Sequence, residues 1–590
     1  MPTEPPPFER LRQRRRQAAE RWRNRLAHVD ALPQLTLLGL ASGILAGSVI
    51  IGFRLLVEGS LGHLLPGHGE NFEGLPALFR FLLPLAGALG LLALLYAVRA
   101  SSRATGVGHV LDRLHNHQGY LSFRNAGVQF IGGALALLSG HSAGREGPAV
   151  HLGGASASKL GQWLHLPNNS LRPLVACGVA AAIAASFNTP MAGVIFAMEV
   201  VLMEYTIAGF IPVILSAVAG TTLTQLVFGP DIVFMDGQQL TGHLSELPIM
   251  AAMGIIIALA AATYIKLHSG CARHTGRWPL WLRIPLAGLV AGLGGLWVPE
   301  VMGMGYDTID GALTEELIGP SLALVLIAKL VITALVLGLG VPGGVIGPSL
   351  VMGACLGGAA GYFAAMLPVT VSEPGVYAIV GMSAMMAAVI NAPLAAIIAI
   401  LELTYNPGIL FPGMLVVVVA SLSTRWLFRC DGLFATLLEQ EGKSNRPKLM
   451  QQLLSRTGVR SLMNRRFSLA PREITPREAR ELLKLKPEWI VLQDKNLLLE
   501  PASLAQHLET LEAGPDRVSA SDEQEASEHL DLLAIPARRV EMIAISPLAN
   551  LYEAWQALNQ SQVDALYIPA PGGGITGLVT REQLESYYRL

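Results

Sequence analysis

The sequence predicts an all-α, multi-pass membrane domain of two inverted repeats of broken, tilted helices, followed by a smaller α/β domain. Three observations point there. Of 590 residues, 52% are hydrophobic and 14% charged, against about 25% charged in ordinary soluble domains. An apolar stretch twice breaks at glycines, presents Gly-Pro and resumes, at Gly144-Arg145-Glu146-Gly147-Pro148-Ala149-Val150 and at Gly344-Val345-Ile346-Gly347-Pro348-Ser349-Leu350. After Arg425 the composition turns charged and soluble-like.

Taken in order, residues 1–30 form an Arg-rich segment carrying Arg10, Arg12, Arg14, Arg15, Arg16, Arg21, Arg23 and Arg25. The excess of positive charge places it in the cytoplasm, and the long charged lead before a span-length apolar stretch argues against a cleaved signal peptide. The membrane domain is expected over 31–442. Leu35 to Phe53 holds no charge and is long enough to cross a hydrocarbon core of roughly 30 Å. Further apolar stretches run over Phe81–Val98, Val128–Leu138, Leu174–Ala197, Ile207–Val227, Ile249–Ile265, Ile284–Val298, Ser321–Leu339, Val376–Ile400 and Ile409–Leu422. Many are interrupted by Gly, Pro or a lone charge, so some helices must stop partway. Broken helices at membrane depth are tolerated only where their freed backbone groups face protein or a watery cavity, which favours a transport pathway over an anchor. Cys177, Cys271, Cys355 and Cys430 are widely spaced and read as reduced packing residues. The histidines read as packing or interfacial residues, so no metal site is expected. The net charge of −1 gives no reason to expect a nucleic-acid partner.

The Gly-Pro breaks favour helix starts, because proline fits the first turn, where its missing N–H is not needed. The free N–H groups and the positive dipole end would lie inside the membrane, where an anion satisfies them. A second echo supports duplication. Asn188-Thr189-Pro190 leads to Glu199, and Asn391-Ala392-Pro393 leads to Glu402, with the same spacing.

The C-terminal domain, expected over 443–590, also repeats. Ile474-Thr475-Pro476 opens a helix, followed by Trp489–Leu492, a turn at Asp494-Lys495-Asn496, and Leu497–Leu499. Ile545-Ser546-Pro547 opens another, followed by Ala565–Ile568, a turn at Gly572-Gly573-Gly574, and Ile575–Val579. Each unit reads as capped helix, strand, tight turn, strand and closing helix, with a polar acidic linker from Gly514 to Glu528 between them.

These residues together resemble the CLC family of chloride channels and proton-coupled chloride exchangers with a C-terminal pair of CBS modules. The resemblance implies inverted repeats, a homodimer with one pathway per subunit, and chloride as the bound ligand without a further cofactor. It makes Glu146 the gate, a carboxylate that competes with the anion and leaves when protonated. An ionisable group at membrane depth costs roughly 3 kcal/mol and is presumed functional unless paired. Thr105 stands where the family's hydroxyl donor to the central anion lies. Gly147, Val345 and Ile346 lie at the helix ends that offer backbone N–H groups. Phe434 stands where the family closes the inner side with a tyrosine, keeping the plug and losing the O–H. Val200 stands where well-coupled exchangers carry a second glutamate for internal proton entry, and valine cannot relay a proton. Glu199 reads as a structural partner of polar backbone, because Glu402 occupies its place in the other repeat.

The expected function is therefore glutamate-gated, pH- or voltage-dependent chloride permeation, passive or weakly coupled, in the cell (inner) membrane with both termini cytoplasmic. Proton-coupled chloride antiport is the alternative. In the CBS pair, Thr580-Arg581-Glu582-Gln583 lacks the ribose-binding Asp of an adenine-nucleotide site, which favours a dimerising or regulatory scaffold. Gly140-His141-Ser142-Ala143-Gly144 matches the G-x-S-x-G nucleophile pattern, so an intramembrane serine hydrolase at Ser142 is the rival from the enzyme class. Its missing signal is a strand before the serine.

Overall fold

Asn-x-Pro cuts two long apolar stretches into four helices. The computed structural model describes residues 20–28, 31–66, 70–230, 244–368, 371–443, 449–492, 495–512, 529–570 and 573–589. Arg10 to Arg16, the Gly514–Glu528 linker, Asp494 and Gly572 lie outside them. Asn188 and Asn391 both take φ 57°, the left-handed conformation that ends a helix and that Asn tolerates better than most residues. Pro190 and Pro393 then open Pro190–Phe196 and Pro393–Thr404 at their first positions. The stretches expected over Leu174–Ala197 and Val376–Ile400 are thus each two helices, the earlier halves being Asn168–Phe187 and Pro374–Ile390.

Nine described helices are long and apolar enough to cross a membrane. Leu32–Leu64 has 33 residues, or about 50 Å, and exceeds the hydrocarbon thickness, which a tilt accommodates. Phe123–Leu138, at 16 residues, falls short of a full crossing.

The chain divides into two compact units. One comprises Leu32–Leu164 and Leu171–Arg446, and its described regular elements are all helices. Small residues let its helices approach closely, as membrane interfaces require: a Cβ on Gly153 would lie 2.3 Å from the Gly178 carbonyl, and one on Gly353 2.4 Å from that of Gly381.

The other unit comprises Met1–Ala31, His165–Ser170 and Pro447–Leu590. Its strands are β1 (Phe467–Ala470), β2 (Glu473–Ile474), β3 (Trp489–Leu492), β4 (Leu497–Leu499), β5 (Leu530–Asp531), β6 (Arg539–Ala544), β7 (Ala565–Pro569) and β8 (Ile575–Thr580). Six form one sheet in the order β1-β3-β4-β6-β7-β8, and β2 pairs with β5. β1/β3 and β6/β7 are parallel, while β3/β4 and β7/β8 are antiparallel hairpins, so one α/β arrangement occurs twice, consistent with a CBS pair. Thr475 caps its helix in a box with Glu478. The second helix opens later than Ser546-Pro547 suggests: Leu551–Ser561 is capped by Asn550 boxed with Glu553. The Asn550 box satisfies two end donors reciprocally, and it sets the helix start.

Candidate functional site

The two glycine breaks meet. Gly144 N–H donates to the Gly344 carbonyl at 2.9 Å and Gly344 N–H returns the bond at 2.8 Å, so the repeats touch through paired backbone. From this junction run Glu146–Trp163 and Ile346–Ala364, with Pro148 and Pro348 inside their first turns. The approach needs glycine: a Cβ on Gly147 would sit 2.4 Å from the Gly343 carbonyl oxygen, and one on Gly344 2.0 Å from Glu146 Oε1.

Glu146 is the first residue of its helix and is fully buried. Its carboxylate turns across to the other repeat, where Oε1 accepts a hydrogen bond from the Ile346 N–H. Oε2 has no hydrogen-bond partner among the described residues. The carboxylate thus occupies an N–H group at the start of the opposite helix, which is where an anion would bind. Arg145 does not pair with it. The guanidinium bonds Glu58 at 2.8 Å, beside Arg54, which also binds Glu58 at 2.8 Å, and lies over the Phe187 and Tyr306 rings. Glu146 is thus not one half of a surface ion pair with its neighbour Arg145, since both are buried and Arg145 bonds Glu58.

Val345 caps the second helix and is buried, as is Gly147. Thr105 caps Gly106–Asn116, half-buried, without bonding its own helix end. The Gly106 N–H instead donates to Gln129 Oε1 at 2.6 Å. Gln129 carries no sequence signal of this role, since its partner is 23 residues away. Phe434 is buried in the first turn of Leu433–Gln440, after Gly432 at φ 90°. The Thr105 helix packs against both the Glu146 helix and the Phe434 helix. A cavity of about 90 Å³ brings Phe434 and Val200 together, with Leu111, Glu199, Asn391 and Asp431 in its wall. A small apolar cavity of about 30 Å³ lies against Ile346, Phe187 and Phe196.

Glu199 and Glu402 exchange places across the repeats. Glu199 accepts the Leu394 and Ala395 amides at 3.3 and 2.8 Å, and Glu402 accepts those of Met191 and Ala192 at 2.9 and 2.7 Å. Each carboxylate satisfies first-turn N–H groups of the helix that follows the other repeat's Asn-x-Pro, a favourable end for a negative charge.

Ser142 is not a nucleophile elbow. Its Oγ bonds Thr333 Oγ1 at 2.7 Å, buried, and the segment before it is the helix Phe123–Leu138, without a strand. In the C-terminal unit a cleft of about 560 Å³ lies between the two α/β halves, lined by Trp489 and Glu500 from one and by Asp564, Thr580 and Arg581 from the other. Thr580 and Gln583 cap each other reciprocally at 3.1 and 3.3 Å, and Arg581 is held by Asp564 at 2.7 Å.

A family model described as voltage gated chloride channel matches residues 86–425. A putative chloride channel protein, ClcB-like, of Ralstonia nicotianae is 35% identical over 356 residues, 58% of this chain and 82% of that protein. An H(+)/Cl(-) exchange transporter, ClcA, of Cronobacter sakazakii is 30% identical over 436 residues, 71% of this chain and 92% of that protein. Among solved structures, a slow cyanobacterial Cl-/H+ antiporter aligns with TM-score 0.61 at 24% identity, over 70% of this chain and 99% of that one. A eukaryotic CLC transporter aligns with TM-score 0.59 at 19% identity over 94% of this chain and 98% of that one. At these identities the structures establish the fold alone.

Proposed function

Given that the chain belongs to the voltage-gated chloride channel family and is a membrane transporter of chloride, we propose that it exchanges chloride for protons with Glu146 as the shared gate. The observation that carries this is the Glu146 carboxylate on the Ile346 N–H. Chloride and carboxylate compete for one donor set, so protonation, which removes the carboxylate's charge, hands the donors to the anion. Low pH therefore opens the gate. Thr105, Gly147, Val345, Ile346 and Phe434 are the proposed surroundings of the anion. Relatives named as exchangers favour coupling.

A second reading, passive permeation through a channel, is favoured by Val200, which puts an apolar side chain in the cavity beside Phe434. A reversal potential measured in bilayers under crossed chloride and pH gradients separates the two. Exchange predicts a clear proton contribution; a potential that follows chloride alone overturns it in favour of the channel.

We further propose a homodimer in the cell inner membrane, with both termini cytoplasmic. The C-terminal CBS pair would serve as a regulatory or dimerising scaffold, because Gln583 stands where a ribose-binding acid is needed. A thermal-shift titration of the full chain with ATP and AMP tests the last point, and a saturable shift would overturn it.

A further inference from the structure

Resting on the anion site proposed above, we infer that the Tyr264 hydroxyl is a ligand of the transported anion, supplying the O–H that Phe434 lacks. Tyr264 lies on Leu247–Thr275, one of the span-length apolar helices. That helix packs against both Ile346–Ala364 and Leu433–Gln440, the helices that bring the Ile346 N–H and the Phe434 ring to the site. The phenol is fully buried, and its Oη has no hydrogen-bond partner among the described residues. It also stands close enough to the Glu146 carboxylate to feel its charge.

A buried hydroxyl without a partner is costly, and the membrane interior offers no water to satisfy it. Phenylalanine would fill nearly the same volume without that cost, so it is the oxygen that needs a reason. A phenol donates one hydrogen bond, and beside a site built from backbone N–H donors the acceptor it lacks is the anion itself. The neighbouring aromatic groups leave this role to Tyr264. Tyr306, a second phenol within range of the Glu146 charge, lies under the Arg145 guanidinium and is hydrogen-bonded to it. His268, one turn along the same helix, sets its ring edge-on to that of Tyr264, with centroids 5.9 Å apart and planes at 61°. That contact restrains the phenol ring, so its hydroxyl is held rather than free to turn away. A donor fixed in this way loses little freedom when the anion arrives.

Chloride binding to the full-length protein in detergent is measured by isothermal titration calorimetry in a tartrate buffer, beside thermal unfolding in the same buffer without chloride. Tyr264→Phe is expected to weaken chloride binding about tenfold, the effect of losing one hydrogen bond to a charged group, while its chloride-free melting temperature stays at or above that of wild type. Adding Phe434→Tyr should recover most of the affinity by returning a hydroxyl to the pathway; a double variant as weak as Tyr264→Phe counts against the assignment. Wild-type affinity in Tyr264→Phe overturns the ligand role and leaves the anion site standing. Weaker binding accompanied by a lower chloride-free melting temperature also overturns it, since a packing defect behaves that way. A wild-type protein with no saturable chloride binding overturns the anion site and this assignment together.

Discussion

The two repeats present the same backbone at their junction and differ in one side chain that matters. Glu146 in the first repeat stands where the second has Ile346, and the acid accepts a hydrogen bond from the N–H of that counterpart. One pair of acids is matched: Glu199 and Glu402 do the same work at equivalent helix ends. Those two carboxylates, which obey the duplication, each close a helix. Glu146, which has no acidic counterpart, sits at the site where an anion would bind.

The sharpest way to break that distinction is Glu146→Gln. Neutralising the side chain should leave chloride flux intact, remove its dependence on pH, and lower proton movement about a hundredfold. An unchanged pH profile in liposome flux assays would remove Glu146 from the gate.

Next in size is a pair of equivalent glycines. Gly147→Ala drives a methyl to 2.4 Å from the Gly343 carbonyl, whereas at Gly347 the nearest atom is the Gly144 Cα at 3.4 Å. Thermal unfolding in detergent should show a loss of about 1–3 kcal/mol for Gly147→Ala and little change for Gly347→Ala; equal losses would mean the junction is more symmetric than described. Glu199→Gln and Glu402→Gln should each cost about 1–3 kcal/mol by weakening a charged acceptor of two first-turn N–H groups, and neither should uncouple transport. A change in proton stoichiometry confined to Glu199→Gln would return that residue to the proton route.

The smallest effect lies in the C-terminal unit. The Arg472 guanidinium, 2.6 Å from Asp531, holds that carboxyl below its usual range. A depressed carboxyl stabilises the fold above its unfolded value of about 4, and the contribution is lost as pH falls through the lowered folded value. Arg472→Gln should therefore flatten the acid limb of the melting profile slightly, because the pair is exposed. An identical profile would show the pair contributes nothing.

What the sequence makes legible is whatever residue type alone enforces. Asn at a left-handed helix end, Pro at the next start and Gly where two backbones touch are local necessities, so the helix tips can be read directly. The partner of Glu146 cannot, because 200 positions separate it from Ile346, and neither can the Gln129 bond to Gly106. Local signals also compete. Ser546-Pro547 and Asn550-x-x-Glu553 both announce a helix, and only the second forms one.

The crossed helix caps bear on biogenesis. Met191 and Ala192 reach the bilayer while Glu402, about 210 positions downstream, has yet to be translated. Until it arrives, two amide donors of the early half have no acid, so that half waits in the membrane with an unfinished helix end. A polypeptide severed between the halves would need both pieces present together before either could settle.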